Sequence, residues 1–268
     1  MMGFGIAMLM FIGLASAPED GTSGLTPVFD DASLRPTSVK IIAHGADLQI
    51  EAHNPEAGVH IIRSGGNDCD PWISRPTPQT LQVEATCLDS QFEVSVPGGT
   101  EVSVVTETGN TALSGRFAAV DVVAESGSIE FNPVVDEPGD SRSVSLVTDS
   151  GDVSYYGLDG RPGKAQKVNL ATESGQIHAN ADATEALTAR SVSGDVQLEI
   201  SDEVGRVDVR SNSGDVSVRG VSPDRAVRLA STSGEITNEA SDPVSEKTGA
   251  PVNVTTSSGD IDLAPQAR

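Results

Sequence analysis

Residues 191–198 read SVSGDVQL and residues 211–218 read SNSGDVSV. Outward from this pair the same phrase recurs in both directions: TETGNTAL at 106–113, AESGSIEF at 124–131, TDSGDVSY at 148–155, TESGQIHA at 172–179, STSGEITN at 231–238 and TSSGDIDL at 256–263. The eight glycines are Gly109, Gly127, Gly151, Gly175, Gly194, Gly214, Gly234 and Gly259. A fixed motif at a loose period of about 20 residues marks a coil of stacked short strands, because insertions enter loops while the strand–turn unit stays constant.

Parity supplies the strands. Seven residues before each glycine stand Val102, Val120, Val144, Val168, Leu187, Val207, Val227 and Val252, and five before it Val104, Val122, Leu146, Leu170, Ala189, Val209, Leu229 and Val254. A spacing of two puts both sets on one strand face. Two residues after the glycine, positions 111, 129, 153, 177, 196, 216, 236 and 261 carry Thr, Ile or Val, so a second strand leaves the turn facing the same core. No segment has helical periodicity. The predicted fold is all-β: a single-chain β-solenoid of about eight clear strand–turn–strand rungs, with further strands at the N-terminal side.

The residue before each glycine is Ser or Thr, and the residue three before is hydroxylated in seven copies, Ala124 being the exception. Small hydroxyls fit a narrowing corner and can bond neighbouring backbone. Glycine supplies positive φ or close backbone approach. Repetition argues for geometry over catalysis, and no GxSxG is present. Acids flank the corner and change sides midway: Glu107, Glu125, Asp149 and Glu173 precede their glycines by two, whereas Asp152, Asp195, Asp215, Glu235 and Asp260 follow theirs by one. Asp149 and Asp152 form the densest point and are the candidate cation site, although a solvated acidic edge is the better reading of the row.

The 268 residues carry 39 acids against 17 Lys and Arg, a formal charge of −22. Such a surface repels phosphate backbones and anionic headgroups, which excludes nucleic acid and peripheral membrane binding as partners. Aromatics make up 3%, too few for an aromatic sugar platform. Residues 1–17 are uncharged, mostly apolar and end in small residues, as a secretory signal or membrane anchor does. Residues 18–37, rich in Pro, Gly, Ser and acids, read as a flexible linker. The solenoid spans 38–264, with N-terminal rungs over 38–100 and the repeats over 101–264, and leaves a tail at 265–268. Alternating runs VKIIA, ADLQIEA, GVHII, LQVEA and FEVSV mark the early strands, and 64–80 is an irregular excursion between them. Cys69 and Cys87 are the only cysteines; in an exported chain they are predicted to form a disulfide, worth roughly 3 kcal/mol for a loop of this size. His44, His53, His60 and His178 occur without HxH or HExxH spacing, so no metal site, cofactor or catalytic residue is predicted.

The run FEVSVPGGTEVSVVTETGNTALSG at 92–115, followed by serial SGD-type turns, resembles the bacterial adhesin-like β-strand-repeat domain, a family of unknown function. The resemblance covers residues 38–264 and implies a cell-envelope solenoid tied to surface adhesion or envelope-stress systems. The expected function is therefore a non-catalytic, extracytoplasmic binding or spacer module, secreted or anchored in the envelope. Its partner would be a surface or envelope protein or a glycan. The alternatives are a regulatory domain that docks a membrane partner and a polysaccharide-processing β-helix enzyme. After Leu263 only APQAR remains, so the last repeat is expected to leave an open strand edge, blunted by Pro265. A monomer or weak end-to-end association is the matching expectation.

Overall fold

The computed structural model describes residues 25–52, 54–65, 69–134, 142–157, 165–240 and 249–265. The segment 1–17, residues 18–24 of the expected linker and residues 266–268 of the tail lie outside the described residues. The strands begin with β1 Thr26–Asp31, β2 Ser38–Ala43, β3 Asp47–Ala52, β4 Val59–Gly65, β5 Trp72–Thr77, β6 Thr80–Ala85 and β7 Ser90–Val96. The repeats then supply β8 Thr100–Thr106, β9 Thr111–Gly115, β10 Phe117–Ser126, β11 Ile129–Pro133, β12 Arg142–Ser150, β13 Val153–Gly157, β14 Ala165–Thr172 and β15 Ile177–Ala181. The chain ends with β16 Ala186–Ser191, β17 Val196–Ile200, β18 Arg206–Ser211, β19 Val216–Arg219, β20 Arg225–Ser231, β21 Ile236–Asn238, β22 Gly249–Thr256 and β23 Ile261–Ala264.

Each repeat crosses from one sheet to the other at its glycine. The second strands build a 12-stranded sheet A, in the order β1-β4-β7-β3-β9-β11-β13-β15-β17-β19-β23-β21. The first strands build an 11-stranded sheet B, in the order β20-β22-β18-β16-β14-β12-β10-β8-β2-β6-β5. Repeats stack in parallel and in register, Val120 on Val144 and Val144 on Val168. The two apolar columns of sheet B and the two of sheet A, two and four residues after the glycine, therefore face each other as a continuous buried core from Val39 to Leu263. That core is mostly aliphatic, but Phe117, Phe131 and Tyr155 stack inside it on successive levels, with ring centroids 5.8 and 6.0 Å apart.

Both ends depart from the chain order. At the N-terminal end the later rung β6/β7 lies outside β2/β3, and antiparallel strands finish each edge: β4 and β1 on sheet A, β5 on sheet B. The expected flexible linker thus gives way at Thr26 to β1, whose Val28 and Phe29 pack against the core and whose backbone satisfies the free edge of β4. The irregular excursion likewise contains β5. Cys69 and Cys87 form a disulfide that joins this excursion to the corner after β6. Asp31, at the end of β1, accepts hydrogen bonds from Ser33 and, at 2.7 Å, from Arg75 on β5, which latches the two edges together. The Ser33 hydroxyl and then Arg75 hold its carboxyl down at about 2.

At the other end the last repeat, β22/β23, folds back between β18/β19 and β20/β21. The expectation of an open edge after Leu263 is therefore corrected: β23 is paired on both sides, Pro265 blunts no edge, and the terminal rung is β20/β21. The physical reason lies in β21. Four residues after the glycine the other repeats place core residues, among them Phe131, Leu198 and Leu263, but this one places Asn238. A rung with a polar residue at a core position is tolerated where the core ends. Ile236 is 43% exposed, whereas its equivalents, such as Ile177 and Ile261, are at most 1% exposed. Buried Arg225 holds the reversed order: it donates to the carbonyls of Val204 (2.8 Å) and Gly205 at the start of one rung, and of Ala250 (3.1 Å) at the start of another. Burial lowers its pKa, so these carbonyls are what compensate its desolvation.

The corner glycines stack one above another. A Cβ on Gly175 would lie 1.8 Å from the Gly151 carbonyl oxygen, and one on Gly194 would lie 1.6 Å from that of Gly175. Close approach, and not backbone handedness, is thus the common requirement.

Gly175→Ala is expected to lower the unfolding free energy by about 3 kcal/mol or more, read from the urea midpoint, because backbone must move to admit the methyl. Arg225→Met should cost about 3 kcal/mol by the same measurement, since three carbonyls lose a charged donor. The Asp31 latch acts with the opposite sign from a histidine switch. Its folded pKa is depressed, so its stabilisation is present above about pH 4 and fades as pH falls toward 2. Wild type and Asp31→Asn should differ in midpoint at pH 5 and converge near pH 2; an unchanged difference would show that the latch is idle.

Candidate functional site

Polar groups at the corner fall into two ladders. Hydroxyls three before the glycine serve the turn backbone: Thr148 and Thr172 donate to the carbonyls of Gly127 and Gly151, at 3.2 and 3.0 Å. Ser191 and Ser211 accept the N–H of their own Gly194 and Gly214, at 2.8 and 2.9 Å. Ser231 does both, bonding Gly234 N–H and the Gly259 carbonyl. The second ladder lies one after the glycine. Asn110, Asp152, Asp195, Asp215 and Asp260 each use Oδ1 to accept the backbone N–H of the equivalent residue on the next rung, at 2.7–3.0 Å. Asp47 starts this ladder by accepting from Asn110 N–H. These serines and acids are structural, each satisfying a backbone group at a strand end.

The two acidic columns therefore part company. Asp152 spends an oxygen on Gln176 N–H, while Asp149 stands across the corner on the sheet B side. Glu107 takes His44 at 2.8 Å. Glu125, Asp149 and Glu173 make no ion pair or side-chain hydrogen bond among the described residues. The histidines are not brought together: His60 pairs with Asp30 at 2.8 Å, His178 packs on Tyr156 with ring centroids 5.6 Å apart, and His53 lies outside the described residues. Among the described residues no group of three or more His, Cys, Asp or Glu is placed to hold a metal ion.

The solvent face of sheet B carries what the inward parity concealed. Four residues before each glycine the side chain points outward, and register aligns Ile42, Val105, Val123, Val147 and Ala171 in one column across five adjacent strands. Val105 and Val123 are each 43% exposed. The column then changes character to Arg190 and Arg210, paired directly on β16 and β18. Neither arginine has a carboxylate within ion-pair reach among the described residues. Glu125, Asp149 and Glu173 line the turn side of the aliphatic stretch, and Val192 and Asn212 take their places beside the arginines. At the changeover lies a groove of about 420 Å³, formed by Val147, Asp149, Ala171, Glu173, Arg190 and Arg210 with their neighbours. The outer face of sheet A has no such stripe: its central column reads Glu130, Ser154, His178, Gln197 and Ser217.

Alternation of apolar residues on both faces of β8, β10 and β12 was visible in VSVV, VDVV and VSLV. What the sequence reading missed was that register would bring Val105, Val123 and Val147 together.

The sequence model of the Toastrack DUF4097 family matches residues 76–264. No curated protein matches the chain. Among solved structures, a candidate cell adhesion protein from Clostridium sporogenes is similar at 8% identity and a TM-score of 0.34, covering 91% of this chain and 99% of that one. A candidate adhesin from Bacteroides fragilis is similar at 14% identity and a TM-score of 0.48, covering 90% and 98%. With its corner glycines and paired sheets inside the matched span, the chain belongs to the Toastrack DUF4097 family.

Proposed function

We propose that this protein is a non-catalytic binding module of the bacterial cell envelope, a rigid β-solenoid that presents the outer face of sheet B to a partner. The observation that carries the reading is the aliphatic column on the solvent face, with Val105 and Val123 exposed and Ile42, Val147 and Ala171 half-buried, flanked by carboxylates with no ion-pair partner among the described residues. Exposed apolar side chains gathered in one contiguous strip, rather than scattered singly, mark interaction surfaces. Ten rungs at about 4.8 Å give a stiff body more than 40 Å long, which suits a spacer as well as a contact surface. An extracytoplasmic location is supported by the Cys69–Cys87 disulfide, a bond that persists in oxidising compartments.

The aliphatic character of the strip favours a protein partner over a glycan, because sugar faces pack on aromatic rings. Adhesion to a surface protein and regulatory docking to a membrane protein both fit that requirement. The charge of −22 opposes self-association through like faces, in keeping with a monomer or weak end-to-end contact at β20/β21.

The test uses the full chain with Val123→Asp, beside Ser217→Asp on the outer face of sheet A as a control of equal charge. Saturable binding to isolated envelope proteins should be lost in the first and kept in the second. Equal binding by both variants would remove sheet B from the function. Incubation with cell-wall polysaccharide should release no new reducing ends; release abolished by a single carboxylate substitution would make the protein an enzyme.

A further inference from the structure

We infer that the outer face of sheet B is built to receive an amphipathic α-helix with a basic flank, lying along the solenoid axis. This rests on the reading of that face as the binding surface and adds the occupant. The apolar column runs perpendicular to the strands and is one residue wide. A partner strand would pair with a sheet edge, not lie across a face whose backbone hydrogen bonds are already made within the sheet. The object that offers one apolar side chain per rung along such a line is a helix. Its pitch is about 5.4 Å against a rung spacing of about 4.8 Å, a mismatch of roughly 0.6 Å per turn that flexible side chains absorb.

Charge fixes the rest. From Ile42 to Ala171 the column spans four rung steps, about 19 Å, which is the length of about 13 helical residues. Along this stretch Glu125, Asp149 and Glu173 stand on the turn side, unpaired among the described residues. They call for Lys or Arg on one flank of the helix and not the other. On the opposite side Lys40, Ser103, Asp121, Ser145 and Asn169 are polar, and their two charges, one of each sign, leave that flank without net charge. Beyond Ala171 the arginine pair Arg190 and Arg210 ends the apolar line. Two adjacent cations are suited to the carbonyl-rich, partially negative C-terminus of a helix. The helix is thus oriented, with its N-terminal end toward Ile42 and its C-terminal end toward Arg210.

The probe is a fluorescein-labelled peptide of about 18 residues composed of Leu, Ala and Lys. Leucines take the i, i+4, i+7, i+11 positions of one helix face. Lysines are confined to one flank. A second peptide, identical except that two central alanines are replaced by proline, cannot form the helix. Fluorescence anisotropy with the full chain in about 0.15 M salt should show saturable binding of the first peptide only. Val123→Asp makes the protein more acidic, so it would strengthen a purely electrostatic attraction; the helix reading expects at least tenfold weaker binding instead. Val105→Asp repeats the test one rung away, and circular dichroism with the urea midpoint checks that both variants fold. Replacing Glu125, Asp149 and Glu173 together by their amides should weaken binding about tenfold and flatten its salt dependence. Undiminished binding by both aspartate variants, or no saturable binding of the helical peptide, overturns the proposal. If the proline peptide binds equally well and Val123→Asp weakens both, the face remains the contact surface but its occupant is not a helix. A photoreactive group at the peptide's C-terminus should mark Arg190–Arg210; marking near Val105 overturns the orientation.

Discussion

Everything in this fold depends on a carbonyl oxygen that sits where a corner side chain would be. From Ala46 upward, each corner residue faces the backbone of the corner below it at a distance that admits no Cβ. Only three of the eight glycines, Gly109, Gly127 and Gly151, also adopt positive φ, so the requirement shared by all is room, not handedness. Because the corners must nest, successive rungs cannot slip by one residue. Slippage would turn every core valine outward. The in-phase columns, buried and exposed alike, follow from that nesting.

The same stacking explains the distribution of acids. A corner on which the ladder position is Asp, at 195, 215 or 260, has Val192, Asn212 or Ser257 on the other side of the glycine. A corner whose ladder position is neutral, at Asn110, Ser128 or Gln176, carries Glu107, Glu125 or Glu173 instead. Only Asp149 and Asp152 share one corner, and one of them accepts a backbone N–H. About one carboxylate per 4.8 Å step keeps repulsion between neighbours near 1 kcal/mol in water. In the first half of the repeats the acids two before the glycine are free of the ladder, and there they border the aliphatic column.

Much of this was legible in the sequence. The glycines gave the corners, the valines at minus seven and minus five gave the inner face, and the two cysteines fell within bonding reach. The order of the end rungs was not legible, since pairing in a parallel stack is set by which rung can best tolerate exposure, and chain order is only the cheapest default. Asn238 was the available signal: one polar residue in a core column that otherwise reads Leu, Phe, Tyr, Ala and Val. Strand β1 was hidden by a composition suited to a linker, in which two residues, Val28 and Phe29, were enough once β4 offered an unpaired edge. The outer column escaped because an apolar residue at an outward position is unremarkable singly and becomes meaningful only when register sets five of them in line.

Net charge alone would make any cationic segment a ligand for this protein, and such attraction speeds encounter without choosing a site. The molecule limits that ambiguity through its arginines. Six of its thirteen lie between Arg190 and Arg228, where the carboxylates of the turn side have given way to Val192 and Asn212. Along one face a ligand therefore meets acid and aliphatic side chains first, then two guanidinium groups. A uniformly basic segment would be repelled at the second half, and an apolar one would leave charges unmatched along both. Under the proposed reading, specificity would come from the changeover between Ala171 and Arg190, which disfavours ligands that satisfy only one side of it.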